Sequence, residues 1–458
     1  MTLGSLFDGI GGFPFSAAMC GIEPRWASEI EPFPILVTHK RFPDMKHLGS
    51  VTEINGAEIE PVDIITFGSP CQDLSVAGKQ AGIHDGERSN LFFEAVRIIK
   101  EMRQKDEATG RTGIDVRPRY AVWENVPGAF SSNRGKDFQA VLQALAEVAD
   151  PDVSIPFPDG GKWLKAGCIV GEGYSIAWRV YDAQYWGVPQ RRKRIYLIAD
   201  FGSERAGEVL FEPESLRGDS SQGGTPWKGT AADAEGSVVA AGFKAGNGAK
   251  SRTIGFREEV SPTLAASPSG ANQVPTTVYC LQGNGIDRAL TAGCNGKGWR
   301  QNECYTLNTI DRPAVVHAKA VYPNVTGSLC ANSHPGSYTG QDAFNDMLPV
   351  QHNGSRYVIR RLTPLECCRL QGYPDGWTED LAIPDPTIEE VEFFTKVWSD
   401  WAEINGTKPK SLNQILKWLA DPHSDSAEYK AYGNSLAIPC SYDVLRRISE
   451  NERTDHIR

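Results

Sequence analysis

Three stretches of this chain put chemically competent side chains beside apolar, β-type runs. Val62-Asp63-Ile64-Ile65-Thr66-Phe67 reads as a buried strand and runs into Gly68-Ser69-Pro70-Cys71-Gln72. A thiol is thereby expected at the carboxyl end of a strand, where open α/β sheets bind ligands. Tyr120-Ala121-Val122-Trp123 reads as another strand and delivers Glu124, in Glu124-Asn125-Val126-Pro127, to the same rim. Gln190-Arg191-Arg192-Lys193-Arg194 immediately precedes a third, Ile195 to Ala199. Each has a blander reading when taken alone: a buried hydrophobic cysteine, an acid that caps a helix, a solvated basic edge. Together, a thiol, a carboxyl and guanidinium groups suit covalent attack on an electron-poor ring. The acid would protonate the ring and the cations would hold phosphate.

A fourth stretch is suited to backbone contact. Phe7-Asp8-Gly9-Ile10-Gly11-Gly12 follows the apolar run from Leu3 to Phe7 and precedes a helix pattern, so its glycines let the backbone approach a ligand at a helix start. Alone, it is equally a tight strand-to-helix turn. In doubly wound sheets an acid at the end of the second strand grips ribose hydroxyls, and Glu29 lies about twenty residues on, as that geometry asks. Glu31 is its rival for that role.

Bringing four such stretches to one rim takes a sheet. Over the first two hundred residues, apolar β-type runs alternate with helix patterns such as Leu91 to Met102 and Phe138 to Val148, which implies a doubly wound parallel sheet. Around 217–236 the composition turns to Gly, Ser, Asp and Pro, the mark of a flexible boundary. From about Ser237 to Gln351 helix patterning disappears, and short pieces such as Thr263-Leu264, Thr306-Leu307 and Ser328-Leu329 recur between turn residues. That spacing predicts a loose β-meander. After Thr387 helix patterns resume through Trp398 and from Leu412 to Leu419. The chain is thus divided into a catalytic domain of 1–200 plus 430–458, a β-rich domain over 201–375 and an acidic helical insertion over 376–429.

At 458 residues, the chain exceeds what one core usually organises. Its net charge of −10 argues against indiscriminate nucleic-acid binding, but the charge is unevenly spread. Asp375 to Glu428 holds twelve acids against four lysines, whereas Phe243 to Val316 holds eight bases against five acids. One segment can face phosphates while the other avoids them. Ten cysteines without a Cys-x-x-Cys pair, and eight histidines without ligand spacing, suggest reduced thiols and no metal site. No basic-then-apolar leader follows Met1 and no apolar run could span a bilayer, so a soluble cytoplasmic protein is expected, with no membrane contact.

These motifs, in this order, resemble the bacterial and phage DNA cytosine-5 methyltransferases. The matching blocks are Phe7 to Gly12, Pro70-Cys71-Gln72, Glu124-Asn125-Val126, Gln190 to Arg194, Arg361 to Glu366 continuing through Arg369 to Pro374, and Gly433-Asn434-Ser435 with Pro439. The resemblance implies an α/β fold: a doubly wound, Rossmann-like methyltransferase domain dependent on S-adenosylmethionine, with a second, β-rich target-recognition domain. Phe7 would then pack on the adenine of the cofactor, with Gly9, Ile10, Gly11 and Gly12 around the methionine part. Glu29 would hold the ribose with Ile30 beside the base, and Val51, Pro70 and Leu91 would line the pocket. Ser50 stands where many relatives carry an acid. Asn434 and Ser435 would return from far along the chain to complete the pocket, which places the terminal helix in the first domain.

The resemblance also implies a mechanism, in which Cys71 adds as thiolate to carbon 6 of a flipped-out cytosine and Glu124 binds ring nitrogen 3 and the exocyclic amine. Arg194 and Arg192 would support the target base. Gln72, Ser75 and Lys79 in the loop after the cysteine, and Arg252, Arg257, Arg288 and Arg300 in the β-rich segment, are the candidate DNA contacts. The implied partner is double-stranded DNA, with a cognate restriction endonuclease as a further candidate and a monomer as the working state. Two competing readings are a transfer-RNA cytosine-5 methyltransferase and a catalytically dead DNA-binding regulator. The long β-type segment speaks against the first, and the presence of both Cys71 and Glu124 against the second.

Overall fold

The computed structural model describes residues 1–69, 91–188, 190–211 and 363–455, with short paired strands between 241 and 357. Eight strands form one sheet: β1 (Thr2–Leu6), β2 (Glu23–Ser28), β3 (Lys46–His47), β4 (Ile64–Phe67), β5 (Tyr120–Asn125), β6 (Ala166–Gly171), β7 (Tyr174–Asp182) and β9 (Lys193–Asp200). Their order is β3-β2-β1-β4-β5-β9-β7-β6. The first five pair in parallel, whereas β9, β7 and β6 add antiparallel. All four residues of β4 are fully buried, the reason that the central strands read as unbroken apolar runs rather than as alternation. Strand order reverses between β1 and β4, so their carboxyl ends open the crevice in which such sheets bind ligands.

Gly4 allows β1 and β2 to sit this way. A Cβ there would lie 2.1 Å from the Trp26 ring, which crosses β1 and donates its indole N–H to the Glu60 carbonyl at 2.9 Å. The two faces of the sheet carry separate apolar clusters. On one face α3 (Leu91–Ala108) and α4 (Lys136–Ala146) pack Phe92, Ile99, Phe138 and Leu142 against Leu6, Phe67 and Trp123. On the other, α1 (Gly12–Met19), α2 (Pro32–Arg41) and the short α5 (Ala206–Leu210) share a cluster with the chain's last helix.

Five helices follow residue 363: α6 (Pro364–Gln371), α7 (Ile388–Ile404), α8 (Leu412–Ala420), α9 (Asp425–Asn434) and α10 (Ile438–Asp455). Thr363 with Glu366, and Thr387 with Glu390, close reciprocal capping boxes at the starts of α6 and α7. The last helix, α10, packs on α1, where the Ser16 and Ser441 hydroxyls meet at 2.6 Å. At its far end Glu452 pairs with Arg119, which also binds Asp200 at 3.1 Å, so β5, β9 and α10 share one buried charge group. Helices α7 and α8, in the segment read as an accessory insertion, contribute Phe394, Val397, Ile415 and Leu419 to the cluster containing Phe33 and Leu36. His39 of α2 stacks on Phe393 at 5.2 Å, and Arg41 donates to the carbonyls of Trp377 at 2.9 Å and Glu379 at 2.8 Å.

The segment read as a β-meander contains short strands. Among them β10 (Ala241–Phe243) pairs antiparallel with β11 (Arg257–Glu258) and β13 (Thr276–Thr277). Likewise β14 (Cys280–Leu281) pairs with β15 (Trp299–Arg300) and β16 (Ala314–Val315), and β17 (Val350–His352) with β18 (Ser355–Tyr357). One strand, β12 (Ser261–Pro262), pairs in parallel with β8 (Gln190–Arg191), immediately before β9. Among the described residues no helix is long and apolar enough to cross a membrane, and no group of three or more His, Cys, Asp or Glu could hold a metal ion.

Two histidines lie where α7 meets α2. Burial pushes His47 down to about 4 and lowers His39 as well. A histidine whose folded value lies below its unfolded one binds fewer protons when folded, so stability is full above about pH 6.5 and is lost as pH falls towards 4. Urea unfolding of the wild type should lose roughly 1–2 kcal/mol through His47 between pH 7 and pH 5. His47→Gln should lose correspondingly less; equal losses would show that His47 does not titrate on unfolding.

Candidate active site at the carboxyl edge of the parallel strands

The ends of β4 and β5 are tied together just short of the cysteine loop. Trp123 donates its indole N–H to Ser69 Oγ at 3.2 Å, and the Asn125 side-chain amide donates to the Ser69 carbonyl at 3.1 Å. Both bonds are buried, so they fix the chain at position 69 as it leaves the sheet. Glu124 lies between those two residues on β5. A Cβ on Gly68 would meet its Oε2 at 3.4 Å, which places the carboxyl against the backbone three residues ahead of Cys71. Pro70, Cys71, Gln72, Ser75 and Lys79 themselves lie outside the described residues.

Glu124 is paired from the neighbouring antiparallel strand. Arg194 Nε lies 3.0 Å from Glu124 Oε1, with both side chains about seven-eighths buried at 13% and 14% exposure. The geometry follows from register, because Glu124 lies opposite Tyr196 and Arg194 is two residues back on the same face. Two residues earlier, Arg192 is fully enclosed. Its guanidinium donates to the Ser435 carbonyl and, at 3.4 Å, to the Gly433 carbonyl. Burial, with Arg194 beside it, pushes Arg192 down to about 9. Arg192 and Arg194, read alike from the sequence as supports for one ring, therefore do different things. Arg194 meets the carboxyl, whereas Arg192 holds the turn at 433–435.

That turn is where α9 gives way to α10. Ser435 is buried and its hydroxyl meets the Tyr373 hydroxyl at 2.5 Å, while Asn434 is exposed. The Tyr373 hydroxyl also lies where a Cβ on Gly12 would fall, at 2.8 Å, so the start of α1 is glycine because the C-terminal segment comes so close. Trp377 adds a bond from its indole N–H to the Ile10 carbonyl at 2.9 Å. Tyr373 belongs to the Arg369 to Pro374 block on which the resemblance rests, with no site role read for it there, whereas Trp377 lies outside every matching block.

The glycine loop itself turns through left-handed backbone. Phe7 has φ 56°, Gly9 59° and Gly11 80°. The phenylalanine is the costly one, since an L side chain there is strained by about 1–2 kcal/mol. Glu29 holds the turn: Oε2 accepts from the Gly9 N–H at 2.8 Å, and Oε1 from the N–H groups of Ile30 at 2.7 Å and Glu31 at 2.9 Å. Burial raises the Glu29 carboxyl and those N–H bonds oppose the rise. Glu31 points elsewhere, pairing with Lys430 at 3.0 Å, which separates the two rivals. Val51 is buried, with its carbonyl taking Arg97 at 3.1 Å, and Leu91 is half-buried at the start of α3. The buried acid of the loop, Asp8, was also not singled out, although it is the ionisable side chain of that motif.

Of the candidate DNA contacts, Arg252 and Arg288 lie outside the described residues. The backbones of Arg257 and Arg300 belong to strands β11 and β15.

The sequence model of the C-5 cytosine-specific DNA methylase family matches residues 1–149 and 169–219. The chain is 28% identical, over 98% of its length and 61% of the relative's, to a protein of Escherichia phage P1 named DNA N-6-adenine-methyltransferase. It is 32% identical to Type II methyltransferase M2.BsuMI of Bacillus subtilis, over 47% of this chain and 45% of that one. With Orphan methyltransferase M.SPRI of Bacillus phage SPR it shares 24% identity over 81% of this chain and 88% of that one. The chain thus spans 61% of the phage P1 relative and under half of the B. subtilis one.

Arg192→Leu tests the link between β9 and the 433–435 turn. Losing a buried guanidinium that binds two carbonyls should leave those carbonyls unsatisfied and cost about 3 kcal/mol or more. Amide exchange should quicken at 433–437 well beyond any change in β4 and β5. A uniform loss of protection would mean that Arg192 supports the whole core and not this turn.

Proposed function

We propose, from the match of residues 1–149 and 169–219 to the C-5 cytosine-specific DNA methylase family, that the chain methylates carbon 5 of cytosine in double-stranded DNA, taking the methyl group from S-adenosylmethionine. The observation that carries the reading is the Arg194–Glu124 pair at the carboxyl edge of β5, against Gly68, the first residue after β4 on the way to Cys71. Carbon 5 is a poor nucleophile until something adds to carbon 6. The Cys71 thiolate adds there, and the ring's electrons shift towards carbon 5. Glu124 hydrogen-bonds ring nitrogen 3 and the exocyclic amine as charge develops, and Arg194 keeps the carboxyl oriented. Carbon 5 would then take the methyl group as its bond to the sulfonium breaks, the electron pair staying on that sulfur; loss of the carbon-5 proton to water would restore the 5,6 double bond as Cys71 departs with the electrons of the carbon 6–sulfur bond.

The cofactor supplies an electrophilic methyl group on a sulfonium. The residues that would hold it fit its parts: Phe7 for the adenine, Glu29 for a ribose hydroxyl through the lone pair left on Oε2, and the turn at Gly9 to Gly12, where α1 begins without a side-chain cap, for the amino-acid end. Ser435, buried beneath Gly12 through Tyr373, closes that end. The paired strands between 241 and 357 support their reading as the reader of the target sequence, since β12 pairs with the short strand β8 just before Arg192. The name of the phage P1 relative offers a different product, N6-methyladenine. Methylation of an exocyclic amine needs no thiol, so Cys71 with the paired Glu124 favours the carbon-5 product.

Duplex DNA bearing 5-fluorocytosine at target positions should form an adduct with the wild type that survives denaturation and maps by peptide mass spectrometry to Cys71, because fluorine does not leave as a proton does. Cys71→Ser should form none and should still bind duplex. Turnover by the serine variant near the wild-type rate would overturn the nucleophile assignment.

Glu124→Gln should slow single-turnover methylation by about 10²-fold or more while shifting cofactor affinity only a few-fold, as expected of a group whose interaction strengthens in the transition state. A loss of affinity as large as the loss of rate would move Glu124 into the cofactor pocket.

A further inference from the structure

Within the glycine loop one carboxyl is only half used. Asp8 is 8% exposed, and its Oδ1 accepts the Ser5 hydroxyl at 2.6 Å, while Oδ2 has no partner among the described residues. Buried polar atoms are nearly always paired, so an orphaned carboxyl oxygen inside a ligand loop marks a place for a donor that arrives from outside. The backbone around it is already committed: the Asp8 N–H goes to the Ser28 carbonyl at 3.0 Å, and the Gly11 N–H to the Asp8 carbonyl at 3.2 Å. The charged and titratable groups facing Asp8 are the Glu29 carboxyl, across the loop from β2, and the Tyr373 phenol, from the segment after α6, which in turn senses Arg192. No described cation pairs with it. Helix α1 begins beside it with no acid in its first turn and no side-chain cap. An uncapped helix start suits a carboxylate and a buried acid suits a cation. An α-amino acid carries both.

Resting on the methyl-donor reading, we propose that Asp8 Oδ2 receives the α-ammonium at the amino-acid end of S-adenosylmethionine, and that Asp8 releases its proton to solvent as this ammonium binds. In the balance, a neutral carboxyl and an ammonium become a carboxylate–ammonium pair and one free proton. Burial pushes Asp8 up to about 8, and Glu29 adds to the rise against the Ser5 bond. In neutral solution the acid is therefore protonated before the ligand arrives. The ammonium, as an opposite charge, favours the ionised form. Affinity must then rise with pH below about 8, by about tenfold per unit when a whole proton is displaced. Above that pH the ligand's own α-amino group, at about 7.7–8.0, begins to lose its proton, so the informative window is pH 6 to 7.5.

The test is calorimetric titration of the full chain across that window, in two buffers of different ionisation enthalpy, with three ligands. S-adenosylhomocysteine keeps the ammonium without the sulfonium, S-adenosylmethionine has both, and 5′-methylthioadenosine lacks the amino-acid end. For the wild type, affinity for the first two should rise about tenfold per pH unit with close to one proton released. Asp8→Asn keeps the shape and Asp8→Ser is a second variant; both should bind these two ligands at least tenfold more weakly at pH 7.5, without the pH slope. Both should bind 5′-methylthioadenosine as the wild type does, a result that a merely misfolded loop would not give. Retention of the slope, or equal weakening of all three ligands, would overturn the proposal. So would loss confined to S-adenosylmethionine, which would assign Asp8 to the sulfonium. A wild type that bound 5′-methylthioadenosine but neither of the others would refute Asp8's role; one that bound none of the three would sink the methyl-donor reading and the proposal with it.

Discussion

The guanidinium of Arg192, at the head of β9, binds the carbonyls of Gly433 and Ser435, and this buried contact spans more than 240 residues of chain. On one side of it lies the sheet edge with Arg194 and Glu124. On the other lies the turn that sets Ser435 against Tyr373 and Tyr373 against Gly12. A cation is a good choice for this task, because it satisfies two carbonyls at a helix end where the backbone has no intrahelical donors left. Burial lowers its basicity, yet about 9 still leaves it charged in neutral solution. The edge that carries Glu124 and the glycine loop are thus held to one another through Arg192, Ser435 and Tyr373.

The same logic of shared elements governs the parallel half of the sheet. Gly4 lets Trp26 lie across β1, which sets β2 against it and brings Glu29 to the Gly9 N–H. Glu29 then spends three hydrogen bonds on backbone, stiffening the turn whose strained member is Phe7. Such strain persists only where surrounding contacts over-determine the backbone, and at Phe7 those contacts are the Glu29 bonds to the neighbouring turn. Preorganisation of this kind lowers what must be ordered when a ligand arrives.

How much of this was legible in the sequence depended on whether the signal was local. Strands β4 and β5 were readable because parallel strands covered on both faces are continuous apolar runs, and that set Glu124 at the end of β5, whereas Cys71 lies outside the described residues. The glycine loop and Glu29 were readable from spacing. Arg192 was not, since the carbonyls that claim it lie more than 240 residues away and nothing in Arg-Arg-Lys-Arg distinguishes a buried guanidinium from an exposed one. The helices between 388 and 420 illustrate a second limit. Their acid count describes the solvent face, while Phe393, Phe394 and Ile415, which join them to α2, are hidden in that count. Asp8 shows a third, because the Tyr373 phenol that faces it lies more than 360 residues along the chain.

The proposed chemistry turns on the identity of the methylated atom. It is tested most directly by expressing the full chain in a bacterial host that lacks its own cytosine and adenine methylation, digesting the DNA to nucleosides and resolving the methylated products by mass spectrometry. DNA from cells making the wild type should contain 5-methyl-2′-deoxycytidine, and DNA from cells making Cys71→Ser should contain none. N6-methyl-2′-deoxyadenosine in its place, undiminished by the loss of the thiol, would contradict the proposed chemistry.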